Sequence, residues 1–284
     1  MDQLAGRVAV ITGAGRGVGR ALALECAREG MRLALADLDG ERIEQVAGEA
    51  RALGVEAFAM AVDVSERDEV EALAERSYAE YGEANLLLNH AGVSVRGPTV
   101  DASEVDWEWT FAVNLRGVLN GIRAFVPRMR GQDGPAQIVN TASLSGLVAR
   151  ANEHGVYTAS KHAVVGMTNV LRDELEPEGI GVSCWCPGGM ATNQTNSNEY
   201  RPEKFGGYYE FAAPSLGKLP NPMQPEDVAP RVLAGARENR RYIITHPHRL
   251  SDVTDYYDRM FADYEAGARI AEELASAGEK GLSR

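Results

Sequence analysis

Short apolar runs alternate with longer amphipathic stretches along most of the chain. Arg7 to Ile11 reads as a strand, Val18 to Glu29 as a helix and Arg32 to Ala36 as a second strand. Helical periodicity follows over Glu41 to Leu53, strand character over Glu56 to Val62, helix over Glu66 to Tyr81 and strand over Leu86 to Asn89. The alternation continues with a long helix over Trp107 to Met129, a strand over Gln137 to Asn140, a helix over Tyr157 to Glu176 and a strand over Gly181 to Trp185. Strands that are nearly continuous hydrophobic runs, each followed by a helix of ten or more residues, belong to a parallel sheet covered on both faces. The expected fold class is therefore α/β: one domain, a doubly wound parallel sheet of the Rossmann type with about seven strands.

The pattern breaks over residues 188–224, where Gly206 and Gly207 precede closely spaced prolines at 214, 220, 222 and 225. Long irregular segments in compact domains usually carry function. A helix from Pro225 to Arg237 and a short strand from Arg241 to Thr245 resume the order. Ser251 to about Ala277 reads as an amphipathic helix with Val253, Tyr256, Tyr257, Met260, Phe261 and Tyr264 near one stripe, suited to covering a cleft or packing on a neighbouring subunit.

Twenty-nine basic and 41 acidic side chains give a net charge of −12, and 44% of the 284 residues are hydrophobic. Such a chain folds as a soluble globule, and its acidic balance argues against nucleic acid or an anionic membrane as partner, since either needs concentrated positive charge. Cys26, Cys184 and Cys186 are odd in number and form no Cys-x-x-Cys pair, so neither a disulfide framework nor a structural zinc site is expected. Cys184 and Cys186 flank Trp185 in a predicted strand and should face the same side. No secretory pattern or membrane-length apolar stretch is present, which points to the cytoplasm. His246-x-His248, with Pro247 between, reads as an ordinary loop.

Candidate chemistry begins between the first strand and the first helix, at Thr12-Gly13-Ala14-Gly15-Arg16-Gly17-Val18-Gly19. Glycines there permit a tight turn and close approach of a pyrophosphate, while amides at the helix N-terminus meet its charge. The spacing is G-x-x-x-G-x-G at Gly13, Gly17 and Gly19. Asp37 ends the second strand, 18 residues past Gly19, near the distance at which a carboxylate meets the adenosine ribose and repels a 2′-phosphate. Asp37 favours NAD, whereas Arg16 in the turn is the argument for NADP.

Tyr157 and Lys161 stand four apart in a helical stretch and share a face, and Ser143 lies just past a strand end. A tyrosine with its ordinary pKa of about 10 is too weak a base at neutral pH, but a neighbouring ammonium and a cationic nicotinamide ring favour the phenolate. Three units of depression correspond to about 4 kcal/mol, within reach of two cations in a partly desolvated site.

Taken together these motifs resemble the short-chain dehydrogenases/reductases, in that family's order and over the chain to about Thr245. Thr12 to Gly19 is similar to its cofactor turn, Asp63-Val64 to its adenine-contacting pair and Asn89-His90-Ala91-Gly92 to its Asn-Asn-Ala-Gly segment. Ser143, Tyr157 and Lys161 resemble its catalytic triad, Asn114 its fourth catalytic residue, and Pro187-Gly188 with Thr192 its nicotinamide-contacting stretch. The resemblance implies that Tyr157 exchanges the proton, Ser143 holds the substrate oxygen, Lys161 binds the nicotinamide ribose and Asn114 holds a water leading to solvent. It also implies a homodimer or homotetramer acting on a small-molecule alcohol or ketone. His90 stands where the family has Asn, a departure expected to alter local hydrogen bonding without abolishing cofactor binding.

The 188–224 segment corresponds to the family's variable substrate loop, and Tyr200, Phe205, Tyr208, Tyr209 and Phe211 crowd it. Of these, Tyr200, Phe205 and Tyr208, with Ser145 and Met190, are the candidate substrate residues; the aromatic loop suits a bulky or aromatic alcohol, although aromatics that merely pack the loop on the body fit equally. Tyr242 to Pro247, Phe125-Val126-Pro127 and Arg201-Pro202-Glu203-Lys204 resemble the bacterial NAD-dependent Cα-dehydrogenases of lignin aryl-ether catabolism. The expected function is hydride transfer between NAD(H) and a secondary alcohol or ketone. The alternatives are an NADP-dependent ketoreductase and a non-catalytic dinucleotide sensor.

Overall fold

A computed structural model describes residues 3–149, 154–209 and 222–282, without the side chains of 193–196 and 277–282. The elements run β1 (Val8–Thr12), α1 (Gly17–Arg28), β2 (Arg32–Asp37), α2 (Gly40–Ala52), β3 (Ala57–Ala61), α3 (Arg67–Tyr81) and β4 (Leu86–Asn89). They continue with α4 (Glu104–Phe111), α5 (Gly117–Met129), β5 (Ala136–Thr141), α6 (Gly155–Leu175), β6 (Ile180–Trp185), α7 (Pro225–Arg237) and β7 (Tyr242–Ile243). The sheet has seven strands in the order β3-β2-β1-β4-β5-β6-β7, each pair parallel. The order reverses between β1 and β4, and a cleft opens there, at the carboxyl ends of the strands, as this topology requires.

Burial on both faces follows from the strand sequences. In β1, Val8 and Val10 enter one apolar cluster with Leu87, Ile138 and Val182, while Ala9 and Ile11 enter the other with Leu33, Leu88, Val139 and Trp185. Each such Val, Leu or Ile contributes roughly 1.5–3 kcal/mol against the chain's conformational entropy. Cys184 and Cys186 face one side as their spacing predicts, their sulfurs 3.7 Å apart, and all three cysteines are buried free thiols.

The predicted helix over Trp107 to Met129 is corrected in one respect. It is divided, α4 giving way to a π-helical segment, Ala112–Arg116, before α5 begins. A π turn accommodates one extra residue and re-aims the side chains around it, and Asn114 lies at its centre. Hydrophobic periodicity scarcely registers a single inserted residue, which is why the sequence reads as one helix.

The body to Thr245 is one compact unit. From His246 a second unit holds a short 3₁₀ turn and α8 (Leu250–Leu282), which covers the predicted tail helix and extends beyond it. Among the described residues no helix is long and apolar enough to cross a membrane.

Candidate active site

The glycine turn joins β1 to α1 with almost no space to spare. Gly13 has φ +68°, and a Cβ there would lie 2.7 Å from the Ala91 Cα. A Cβ on Gly19 would lie 1.9 Å from the Gly13 carbonyl oxygen, and one on Gly15 would meet the Asp37 carboxyl at 2.8 Å. The turn therefore packs on itself, on the end of β2 and on the segment after β4. Thr12 Oγ1 accepts from His90 N at 3.0 Å and Ala91 N at 3.2 Å, which ties the two strand ends flanking the cleft. Residue Arg16, at the N-cap of α1, makes no side-chain capping bond, so the positive end of the helix remains available to an anion.

At the far end of the cleft Asp37 is nearly buried, its Oδ2 accepting from Gly15 N at 2.8 Å and its Oδ1 from Asp39 N at 3.1 Å. Arg16 and Arg42 both pair with Asp39, at 3.4 and 2.9 Å. The Arg16 guanidinium also stacks 3.6 Å from the centroid of the Tyr200 ring, and its Nη1 is buried without a hydrogen-bond partner.

The opposite end holds the titratable pair. Lys161, on α6, is 1% exposed, and its Nζ donates to Thr141 O at 2.8 Å and lies 5.6 Å from the centre of the Tyr157 ring. Burial pushes its pKa down to about 8, so the ammonium remains mostly charged at neutral pH. Asn114 is fully buried: its Oδ1 accepts from Val93 N at 2.8 Å, and its Nδ2 donates to Val93 O at 2.9 Å and Ser160 Oγ at 3.0 Å. Ser160 Oγ in turn donates to Tyr157 O at 2.7 Å, so Asn114 clamps the segment after β4 against the turn of α6 that carries the phenol. A Cβ on Gly92 would meet both Asn114 Oδ1 (3.3 Å) and Lys161 Nζ (3.4 Å). Ser143 follows β5, and its Oγ accepts from Ser145 N at 3.1 Å. The Ser143 turn is held by Leu144 N donating to Pro187 O at 2.7 Å, and by Gly146, where a Cβ would lie 2.6 Å from Lys161 O.

A cleft of about 590 Å³ joins these two ends, within the ordinary range for small-molecule sites. Of the residues singled out in the sequence, Gly13, Arg16, Gly17, Val18, Asp37, Asp63, Val64, Ala91, Gly92, Tyr157, Lys161, Pro187, Met190, Thr192 and Tyr200 line it. Others do not line it. Gly15 and Gly19 shape the turn, Asn114 bonds to Val93 and Ser160, Ser143 follows the lining Ala142, and Gly188 follows the lining Pro187. Asn89 points into the sheet, donating to Asn140 Oδ1 at 2.9 Å.

The loop aromatics divide in the same way. Tyr200 faces the cleft, Phe205 packs on the core, Tyr208 is 63% exposed, and Tyr209 donates to Asp106 Oδ1 at 2.6 Å. Phe211 lies outside the described residues. The sequence reading missed Trp109, Val93 and Val113, which form an apolar wall, and Asp39 and Arg42 beside the Asp37 end. Asp39 carried a signal of its own, since it caps α2 by accepting from Arg42 N.

His90 lines the cleft at the family's Asn position, its ring stacked on Trp185 at 5.5 Å and its Nδ1 3.3 Å from Thr141 Oγ1. Burial and the Lys161 charge push its pKa down to about 4, so the ring is neutral at physiological pH. The rings of His246 and His248 are 5.8 Å apart, and among the described residues no group of three or more His, Cys, Asp or Glu could hold a metal.

Comparison with known proteins agrees with this geometry. The family profile described as short chain dehydrogenase matches residues 7–202. A C alpha-dehydrogenase of a Sphingobium species is 34% identical over 253 residues, which cover 87% of this chain and 83% of the relative. The crystal structure of a short chain dehydrogenase/reductase from Burkholderia phymatum in complex with NAD superposes with a TM-score of 0.85 at 37% identity, over 93% of this chain and 97% of that one. A short chain dehydrogenase from Mycobacterium paratuberculosis bound to NAD gives a TM-score of 0.73 at 26% identity, over 85% and 97% of the two chains. With the glycine turn, the Tyr157–Lys161 pair and the parallel sheet already in place, the match over more than half of its length means that the chain belongs to the short chain dehydrogenase family.

Proposed function

We propose that the protein transfers hydride between NAD(H) and a bulky secondary alcohol or the corresponding ketone, with a benzylic alcohol or a hydroxysteroid-like compound as the substrate class. The carrying observation is a single cleft with Asp37 at one end and the Tyr157–Lys161 pair at the other. The family uses a nicotinamide dinucleotide, and the residues fit one. The turn has no room for side chains where a pyrophosphate would approach, the α1 N-terminus is uncapped, and a carboxylate stands where the adenosine ribose would lie.

A bound dinucleotide supplies the hydride donor or acceptor. Tyr157 exchanges the proton with the substrate oxygen, since a cation 5.6 Å from its ring stabilises negative charge on the phenol. Lys161 supplies that cation and has a second N–H to offer the nicotinamide ribose. Ser143 holds the substrate oxygen, Asn114 keeps α6 in register and carries the water link to solvent, and Val93, Trp109, Val113, Met190 and Tyr200 offer an apolar surface to an aromatic substrate. The C alpha-dehydrogenase relative supports the benzylic reading.

NADH formation over a panel of benzylic alcohols and hydroxysteroids tests the proposal. Turnover that survives intact in Tyr157→Phe would overturn the mechanism. Binding of dinucleotide without turnover on any alcohol or ketone would instead favour a sensor, a role with no physical need for Ser143, Tyr157, Lys161 and Asn114 together.

A second reading, NADP dependence, rests on Arg16 and Arg42 beside Asp39 and on the unpartnered Arg16 Nη1. Against it, seating a 2′-phosphate dianion against Asp37 costs more than a nearby guanidinium recovers. A preference for NADPH that Asp37→Ala leaves unaltered would decide for this reading. The family forms oligomers, and a homodimer or homotetramer in the cytoplasm fits the proposal; a monomer mass by light scattering at micromolar concentration would count against it.

A further inference from the structure

The segment Arg201-Pro202-Glu203-Lys204 has no part in the chemistry above, yet it is fastened at both ends. Arg201 Nη1 donates to Asp106 Oδ1 at 2.7 Å in a pair that is almost wholly buried, and its guanidinium lies 5.0 Å from the centres of both the Trp109 and Tyr209 rings. Its Nε donates to Phe205 O at 2.6 Å. This end is an anchor, because opening it would leave a buried charge without a partner. Lys204 makes the other attachment. Its Nζ lies 2.8 Å from Asp63 Oδ2 and 3.1 Å from Ser65 Oγ, and it also pairs with Glu66. The Lys204 side chain is 38% exposed, so this attachment can exchange with solvent.

Asp63 is held for two purposes at once. Its Oδ1 accepts from Ser65 N at 2.9 Å and Ser65 Oγ at 2.7 Å, and its backbone N donates to Glu69 Oε2 at 2.7 Å. Desolvation raises the carboxyl pKa, but hydrogen bonds from Lys204 and Ser65 outweigh it and hold the group below the usual carboxylate range. Oδ1 is committed, so Oδ2 is the oxygen left for a ligand, and Asp63 lines the cleft at the adenosine side. Lys204 already claims that oxygen.

We propose that Lys204 is a positioning residue that couples the adenine subsite to the substrate loop, by sharing the Asp63 carboxylate with the bound dinucleotide. The inference rests on the reading of Asp63 as the acceptor for the adenine amine. When the amine donates to Oδ2, the ammonium loses part of its hold there and shifts toward Glu66, and the loop relaxes around Phe205 and Gly206. By reciprocity the attachment of Lys204 to Asp63 weakens the adenine contact by the same factor. Dinucleotide binding and attachment of the 201–204 segment at Asp63 therefore oppose each other, with Arg201 as the fixed point beside them.

The test uses AMP as the probe, which needs no knowledge of the substrate. AMP affinity is measured by calorimetry, and backbone hydrogen exchange of residues 203–206 is followed with and without saturating AMP. In the wild type AMP is expected to speed exchange at Phe205 and Gly206, whose amides bond to Pro202 O and Glu203 O. Lys204→Met is expected to bind AMP about two- to five-fold more tightly, as removal of one partly exposed ion pair implies, and to lose the AMP effect on exchange. Weaker AMP binding in Lys204→Met, or no AMP effect in the wild type while Asp63→Ala loses affinity, overturns the coupling and leaves the adenine reading intact. Unchanged AMP affinity in Asp63→Ala overturns both.

Discussion

Lys161→Met separates what the buried ammonium costs the fold from what it gives the reaction. Its pKa falls from 10.5 to about 8, and at 1.36 kcal/mol per unit the charged form carries a burial penalty of about 3 kcal/mol at pH 7. Methionine fills nearly the same volume without the charge. The change also removes the bond to Thr141 O, and a buried carbonyl left unpaired costs roughly 1–3 kcal/mol. The balance is a variant more stable than wild type by about 1 kcal/mol at pH 7, or roughly 2–4 °C in Tm for a chain of this size.

The pH dependence fixes the sign. The folded-state pKa lies below the unfolded one, so between pH 8 and 10.5 the unfolded wild type binds more protons and its stability rises with pH. By pH 9.5 the comparison should have moved about 2 kcal/mol in favour of the wild type. Urea unfolding of both proteins at pH 7 and pH 9.5 measures this, and turnover measured in parallel should fall by about 10²–10⁴. A variant destabilised by more than about 1 kcal/mol at pH 7, or a stability difference that does not move between the two pH values, would show that burial is not what depresses this lysine.

Three other substitutions have definite expectations. Gly19→Ala places a Cβ 1.9 Å from the Gly13 carbonyl, so the turn must open; a loss of about 3 kcal/mol or more in denaturant unfolding is expected, with dinucleotide binding lost in the same titration. His90→Asn should flatten the acid side of the stability profile. A histidine depressed from 6.5 to about 4 is protonated first in the unfolded state, so wild type loses stability as pH falls through that window and the variant loses less, read as the Tm difference between pH 7 and pH 5. Asp106→Asn leaves the Arg201 guanidinium buried without its counter-charge, at an expected cost of about 3–5 kcal/mol by calorimetry. Desolvation raises the Asp106 carboxyl, but hydrogen bonds from Tyr209, Arg201 and Ser103 hold it low, so its contribution is present at neutral pH and is lost as pH falls through the folded-state value.

Several of these residues could be read from local pattern, because their physics is local. The glycine turn is a steric statement about consecutive residues, and Gly13, Gly15 and Gly19 sit where a Cβ would strike backbone or Asp37. Tyr157 and Lys161 share a helix face because 3.6 residues make a turn. The apolar strands declared a sheet buried on both sides, and the two core clusters divide β1 residue by residue as alternation demands.

What escaped the sequence is long-range or depends on a small insertion. Nothing near Asp106 announces Arg201, 95 positions away, and nothing near Asp63 announces Lys204. Such pairs form only after the sheet and helices have brought their segments together. The same holds for the loop aromatics, equivalent by composition, of which Tyr200 lines the cleft while Phe205 and Tyr209 fasten the loop to the body. By itself the sequence determined the fold class, the glycine turn and the shared helix face of Tyr157 and Lys161, since each depends on periodicity or on spacing within a few residues, while the candidate roles of Ser143 and Asn114 came from the order of motifs along the family. Tertiary structure alone decided the π segment at Asn114, the depressed Lys161 and the ion pairs of Arg201 and Lys204 that hold the loop, because burial and contact between distant segments have no local signature.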